Sequence, residues 1–203
     1  MIAVSIFVAF LLYGYLIGSI PFGLIIGKIF NLTDIRHVGS GNIGATNVLR
    51  TGNKIAAALT LAFDAAKGFL VAWFGVKFLP HDTLWLYSLS LTPIIGHIWP
   101  VWLRFRGGKG AATALGVYLA LNPLLAVLIM IVWLITAKLF RISSLSALVG
   151  LGLAPLLGAA LMPWNLASLV LIQFCLLVSV LIFYTHRHNV KRLYSGQESQ
   201  IKI

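Results

Sequence analysis

The stretch "GAATALGVYLALNPLLAVLIMIVWLITAKLF", residues 110–140, carries one charged side chain, Lys138. A bilayer's hydrocarbon core is about 30 Å thick and takes roughly 20 helical residues. The stretch is too long for one straight crossing, and Asn122-Pro123 stands near its middle. That pair starts turns, and proline lacks the N–H that a helix interior uses. We therefore read two short helices, 110–121 and 124–140, which either cross fully or form a shallow hairpin. The chain returns to the same side in both cases. That parity fixes the side of everything downstream.

Working outward, further apolar runs cover 3–29, 55–79, 83–102, 143–162 and 165–184. Turns are expected at Leu79-Pro80-His81-Asp82 and Met162-Pro163-Trp164-Asn165. The chain thus reads as an all-α integral membrane protein with about seven transmembrane helices in one polytopic domain, 1–203. Composition agrees: 9% of residues are charged, against about 25% in a soluble domain, and mean hydropathy is +1.00. The runs are continuous rather than alternating, which argues against a closed barrel. Met1–Phe30 is too long and uninterrupted for a cleaved signal peptide and lacks an early positive charge, so it reads as a mature span.

Orientation follows from lysine and arginine. With the N-terminus outside, the inner segments hold Lys28, Arg36, Arg50, Lys54, Arg104, Arg106, Lys109, Lys138, Arg141, Arg187, Lys191, Arg192 and Lys202; the outer ones hold only Lys77. Lys67 falls within a span. Reading 110–140 as one span would put Arg187, Lys191 and Arg192 outside, against this bias. The C-terminus is therefore expected to be cytoplasmic. The net charge of +11 would suggest nucleic acid in a soluble protein. Here it reads as a topology signal facing anionic headgroups, with no nucleic-acid partner. Cys175, the single cysteine, leaves no internal disulfide and no cysteine-rich metal site. Gly14-x-x-x-Gly18 and Gly23-x-x-x-Gly27 suit close helix packing.

Polar residues concentrate in three segments: "TDIRHVGSGNIGATNVLRTGNK" (33–54), "GHIWPVWLRFRGGKGAAT" (96–113) and "THRHNVKRLYSGQES" (185–199). Even numbers of spans separate them, so all three reach one membrane face. In the first, Gly39, Gly41 and Gly44 would let backbone N–H groups approach an anion, and Ser40, Asn42, Thr46 and Asn47 add neutral donors. Arg50 and Lys109 add positive charge. Gly107-Gly108-Lys109-Gly110 repeats this design, glycine N–H groups aimed at an anion, immediately before a helix, whose N-terminus also favours an anion. Together these read as a phosphate cradle, although the P-loop spacing is absent.

Four carboxylates are present: Asp34, Asp64, Asp82 and Glu198. Asp82 lies on the far side, Asp34 is expected to pair with Arg36 or Arg50, and Asp64, three residues before Lys67, reads as half of a buried structural ion pair in preference to a functional, pathway-lining one. No close carboxylate pair offers a metal site, and no cofactor is called for. No histidine is followed by Asp at the fifth position, so the His-x-x-x-x-Asp pattern of many acyltransferases is absent. His97, before a Trp-Pro turn, reads equally as a capped structural histidine or a site histidine, and we keep it among the substrate-binding candidates. His186 or His188 is a candidate to bind substrate. A transporter for a phosphorylated solute would share the basic, glycine-rich loops. The absent internal repeat and the one-sided clusters stand against it.

The segments "GSIPFG" (18–23), "DIRHVGSGNIGATN" (34–47), "DAAKG" (64–68), "GHIWPVWLRFRGGKGAAT" (96–113) and "HRHNVKRLYSGQE" (186–198) resemble the bacterial PlsY family of acyl-phosphate:glycerol-3-phosphate acyltransferases. The resemblance implies a seven-helix enzyme of the bacterial cytoplasmic (inner) membrane with its active site on the cytoplasmic face. It implies transfer of a fatty acyl group from acyl phosphate to glycerol 3-phosphate in phospholipid synthesis, with membrane lipid around it. A soluble acyl-phosphate-forming enzyme is the implied pathway partner. By motif, Ser40, Asn42, Thr46, Asn47 and their glycines would form the phosphate pocket, and Arg50 and Lys109 would hold substrate phosphate. His186 and Asn189 would complete the site. Ser144 resembles a family serine, with Ser143 and Ser146 as neighbours in an unsettled register. The proton of the attacking hydroxyl has two candidate acceptors, His186 and an oxygen of the donor phosphate.

Overall fold

The computed structural model describes residues 2–80, 83–161 and 166–201. The turn readings at His81-Asp82 and 162–165, and Lys202, lie outside the described residues. Every regular element among the described residues is helical. In chain order these are α1 (Ile2–Gly18), α2 (Phe22–Ile29), α3 (Ala45–Leu49), α4 (Lys54–Phe78), α5 (Leu84–Ile98) and α6 (Ala111–Leu121). They continue as α7 (Pro123–Phe140), α8 (Ser143–Gly152), α9 (Ala154–Leu161), α10 (Leu166–Thr185) and α11 (Arg187–Tyr194). Among the described residues five stretches are long and apolar enough to cross a membrane: Val4–Ile29, Lys54–Phe78, Pro123–Phe140, Ser143–Leu161 and Ser168–Thr185. Large apolar side chains such as Leu70, Leu134 and Val180 face outward, as a lipid-solvated bundle requires.

The 110–140 run divides where the sequence placed the break. Asn122 Oδ1 accepts the Leu125 N–H at 3.0 Å, and Pro123 opens α7, where its missing N–H costs nothing. At 1.5 Å per residue α6 is about 16 Å long, roughly half the hydrocarbon core, whereas α7 covers nearly all of it. Two other runs differ from the continuous helices expected. The first breaks between Gly18 and Phe22, because Pro21 has no N–H to donate and disfavours helix in the residue before it. The 143–162 run breaks at Leu153, two residues before Pro155.

Small residues set the closest helix contacts. A Cβ added to Gly116 on α6 would stand 1.9 Å from the Ala65 carbonyl oxygen on α4; one on Gly68 would stand 2.2 Å from the Thr113 carbonyl oxygen. The backbones of α4 and α6 therefore touch, and α1 meets α5 in the same way at Gly18. Of the two small-residue pairs read in the sequence, Gly14, Gly18 and Gly23 are contact positions, but Gly27 is not. Its nearest neighbour to an added Cβ is 3.9 Å away. A secondary core of Ile26, Ile35, Ile43, Val48 and Ala56 pins the 30–50 segment onto α2 and α4. The expected Asp64–Lys67 pair is present at 2.8 Å, almost wholly buried.

These contacts predict a contrast between two alanines. Gly116→Ala forces an overpacked α4–α6 contact and should cost about 1–3 kcal/mol. Gly27→Ala meets no obstacle and should be neutral or slightly stabilising, by up to about 1 kcal/mol. Thermal unfolding of the purified variants in detergent measures both; equal midpoints would show that the α4–α6 contact is slack.

Candidate active site

The three polar segments and the α7–α8 turn meet at one end of the bundle around a cavity of about 280 Å³. Its polar end is lined by Ser40, Asn42, Arg50, Lys109, Ser144, His186, Asn189 and Glu198, with Gly110 and Ala111 of the α6 N-terminus. Its other end is apolar, lined by Leu61 of α4, Leu115 of α6, Met130, Trp133 and Leu134 of α7, and Leu151 of α8. A second cavity of about 330 Å³ shares Ser40, Asn42, Lys109 and Asn189 with the first and adds Arg106, Arg187, His188 and Arg192.

Each polar side chain has a definable task. Asn47 is buried: its Nδ2 donates to the Ile35 carbonyl at 2.6 Å, and its Oδ1 accepts from the Ser40 N–H at 3.2 Å. Asn47 thus shapes the Gly39–Gly44 loop from behind. Thr46 Oγ1 and Ser143 Oγ lie 2.9 Å apart, bridging that loop to α8. The Gly107 and Gly108 N–H groups donate to the Ile98 and His97 carbonyls at 3.1 and 2.9 Å. Where the sequence reading aimed these N–H groups at an anion, they close a turn on the end of α5 instead. Both glycines still border the second cavity. His97 is buried, its Nδ1 3.4 Å from Asp64 Oδ1. Asp34 pairs with Arg36 at 2.5 Å, and these hydrogen bonds hold its carboxyl down at about 2, away from the cavity chemistry.

Glu198 is the residue that sequence reasoning left without a role. Its Oε1 accepts from Ser144 Oγ at 2.8 Å and Asn189 Nδ2 at 2.6 Å, and its Oε2 from Arg192 Nε at 2.6 Å. Burial raises its pKa, but these three hydrogen bonds outweigh burial and the net shift is downward. The next residue, Ser199, accepts a hydrogen bond from Arg50 Nη2. The available signal was that Glu198 is one of only four carboxylates in a chain with 15 lysines and arginines. The three serines differ in their partners: Ser144 Oγ donates to Glu198, Ser143 Oγ lies 2.9 Å from Thr46 Oγ1, and the buried Ser146 donates to Ile142 O at 2.9 Å.

Lys109 and His186 also face the cavity. Burial pushes the Lys109 ammonium down to about 8; Glu198 opposes that shift while Arg192 and Arg50 add to it. Among the described residues Lys109 Nζ has no hydrogen-bond or ion-pair partner, leaving its donors for a ligand. Burial, then Lys109, pushes His186 down to about 4, so it is neutral at pH 7. Its Nδ1 lies 2.8 Å from the Ile182 carbonyl, which places the proton on Nδ1 and leaves Nε2 as an acceptor.

A basic polar end joined to an apolar arm suits an amphiphilic phosphate, and comparison with known proteins places the chain accordingly. The glycerol-3-phosphate acyltransferase family model matches residues 8–196. The glycerol-3-phosphate acyltransferase of Bordetella pertussis is 49% identical over 199 residues, covering 95% of this chain and 91% of its own. That of Jannaschia sp. is 47% identical over 190 residues, covering 94% and 90%. A crystal structure of PlsY, an integral membrane glycerol 3-phosphate acyltransferase, in its glycerol 3-phosphate form superposes with a TM-score of 0.89 at 37% identity. It covers 97% of this chain and 96% of that one. Its lysophosphatidic acid form gives 0.87 at 36% identity, covering 97% and 95%. With agreement over nearly the full length in sequence and in fold, the chain belongs to the glycerol-3-phosphate acyltransferase family.

Proposed function

We propose that this membrane acyltransferase moves a fatty acyl group from acyl phosphate to the 1-hydroxyl of glycerol 3-phosphate, giving 1-acylglycerol 3-phosphate and inorganic phosphate. The observation that carries the reading is the joined pair of cavities: two anion-binding ends meeting at Ser40, Asn42, Lys109 and Asn189, with a single apolar arm. Each substrate brings one phosphate, and only the donor brings a chain. The arm, walled by Leu61, Met130 and Trp133, suits that chain. Arg50, Lys109 and the α6 N-terminus hold phosphate, and Ser40, Asn42, Ser144 and Asn189 supply neutral hydrogen bonds. His97, Gly107 and Gly108 support them as the cavity wall.

In the reaction the hydroxyl oxygen bonds the acyl carbon and the acyl carbon–phosphate oxygen bond breaks. The hydroxyl proton passes to the departing phosphate. That assignment rests on a matching of acidities. A base works best with a pKa near the operating pH, and a histidine held at about 4 is a weak one. A phosphate leaving as the bond breaks gains basicity when a proton must be accepted. Neutral His186 instead offers Nε2 to orient the hydroxyl. Positioning and the surrounding positive charge supply the rest.

The same reading sets the topology: seven crossings of a bacterial inner membrane, N-terminus outside, with the cavities and C-terminus in the cytoplasm. The lysine and arginine bias supports it. So does the meeting of the α3 loop, the α6 N-terminus, the α7–α8 turn and α11 at one end, where the Ile201 N–H donates to the Arg141 carbonyl at 2.7 Å. In a Cys175→Ala background, Asn53→Cys and Ser195→Cys should resist an impermeant thiol reagent in intact cells, and Asp82→Cys should react. Labelling at Ser195→Cys with protection at Asp82→Cys would invert the topology.

Substitution and pH test the cradle. Losing a charge-assisted hydrogen bond costs roughly 1.5–3 kcal/mol, so Lys109→Met and Arg50→Met should each lower kcat/KM at least about tenfold, while Lys77→Met stays near neutral. Lys109 loses its charge above about pH 8, so KM for glycerol 3-phosphate should climb there. In Lys109→Arg, whose guanidinium stays charged, that climb should disappear below pH ~10. Persistence of the same alkaline limb in Lys109→Arg would remove Lys109 from the phosphate site.

Donor choice separates this reading from a thioester-using enzyme. The His-x-x-x-x-Asp pair of thioester-using enzymes is missing from the sequence. Purified protein should make lysophosphatidic acid from palmitoyl phosphate but not from palmitoyl-CoA or palmitoyl-acyl carrier protein, with the phosphate-forming enzyme excluded. Comparable turnover with either thioester would refute the donor assignment; product-free uptake of glycerol 3-phosphate into proteoliposomes would favour a transporter.

A further inference from the structure

One buried group of charges has no part in the chemistry just described. Asp64 and Lys67 on α4 and His97 in the last turn of α5 have side chains only 3%, 2% and 4% exposed. Lys67 Nζ stands 2.8 Å from Asp64 Oδ1 and donates to the Ile20 carbonyl at 2.9 Å. Ile20 precedes Pro21 in the break between α1 and α2, where helical hydrogen bonding is interrupted. His97 Nδ1 lies 3.4 Å from the same Asp64 oxygen. Apolar packing alone would join α4 to α5 without the desolvation cost of three ionisable groups, so their retention calls for a task.

The task lies on the other side of the imidazole. The His97 carbonyl accepts the Gly108 N–H at 2.9 Å, and the Ile98 carbonyl accepts the Gly107 N–H at 3.1 Å. A Cβ on Gly108 would stand 2.0 Å from His97 Nε2, and one on Gly107 would stand 2.2 Å from the His97 carbonyl oxygen. The ring is therefore the floor on which the Gly107–Gly108 turn rests, and the next residue is Lys109. Asp64, His97 and Lys109 all border the first cavity. Resting on the function proposed above, we propose that His97, oriented by Asp64 and Lys67, is a positioning residue. It fixes the Gly107–Gly108 turn and so places the Lys109 ammonium for the substrate phosphate. The connection runs from the Pro21 break through Ile20, Lys67, Asp64 and His97 to the turn.

Two double-variant cycles on the purified full-length protein test this, with KM for glycerol 3-phosphate and kcat read separately. His97→Ala should raise KM roughly tenfold to a hundredfold, as small misplacements of binding groups do. Gly108→Ala should lose activity by colliding with the ring, and His97→Ala/Gly108→Ala should recover part of that loss because the methyl enters the vacated space. Losses that multiply in the double variant would overturn the proposal. The second cycle stands even if Gly108→Ala fails to fold. In a Lys109→Met background His97→Ala should raise KM by no more than about twofold, because the group it positions is gone. An equal effect of His97→Ala in both backgrounds would mean that His97 acts directly on substrate or only on folding, and the positioning role would fall. Failure of the phosphate cradle itself would show separately, as an unchanged KM in Lys109→Met alone.

Discussion

The carboxylate of Glu198 is the contact on which the geometry of the cavity depends. It joins Ser144 on α8 to Asn189 and Arg192 on α11, while the neighbouring Ser199 joins Arg50. Without a negative centre, Arg50, Lys109 and Arg192 would repel one another in a partly desolvated space. Burying a charge is costly unless it is paired and hydrogen-bonded, and here three donors satisfy it. The C-terminal segment turns back at Gly196, φ +67°, to bring this carboxylate into place. Glu198 thus ties α8 to α11, and its neighbour Ser199 adds the segment that carries Arg50.

The remaining charge balance favours an anionic ligand. Arg50, Lys109 and Arg192 outnumber Glu198 around the shared wall of the cavities, and the α6 N-terminus adds partial positive charge. Lys109 is the least satisfied of these. Its lowered pKa reports burial among cations, which a dianionic phosphate would relieve. The same burial keeps His186 neutral. Low dielectric and excess positive charge therefore act together: they suit an anionic ligand and leave His186 a weak base.

Much of the fold was legible because its signals are local. Asn122-Pro123 divides the 110–140 run where the sequence marks it. The Asp64–Lys67 pair was legible from its spacing; for Asp34 the sequence left Arg36 and Arg50 open, and the structure pairs it with Arg36. What escaped depends on groups distant in sequence. Ser144 and Glu198 are 54 residues apart, so neither announces the other. The direction of the Gly107 and Gly108 N–H groups was misjudged for a related reason. A glycine-rich turn before a helix looks the same whether its amides face a ligand or the carbonyls of a preceding helix, and only the α5 end decides between them. The break at Pro21 was hidden because hydropathy is blind to a missing hydrogen bond.

That break also explains an economy in the design. A proline interrupts helical bonding in apolar surroundings, where backbone groups need partners from within the protein. Lys67 supplies a donor to the Ile20 carbonyl, and its charge is then matched by Asp64. Asp64 in turn faces His97, whose backbone and ring shape the turn that carries Lys109. A feature that begins as a defect in the first span thereby extends, through side chains excluded from lipid, to the group best placed to meet phosphate. The buried charged groups Asp64 and Lys67 and the buried His97 form a connected path rather than isolated pairs, so a change at either end should be felt at the other.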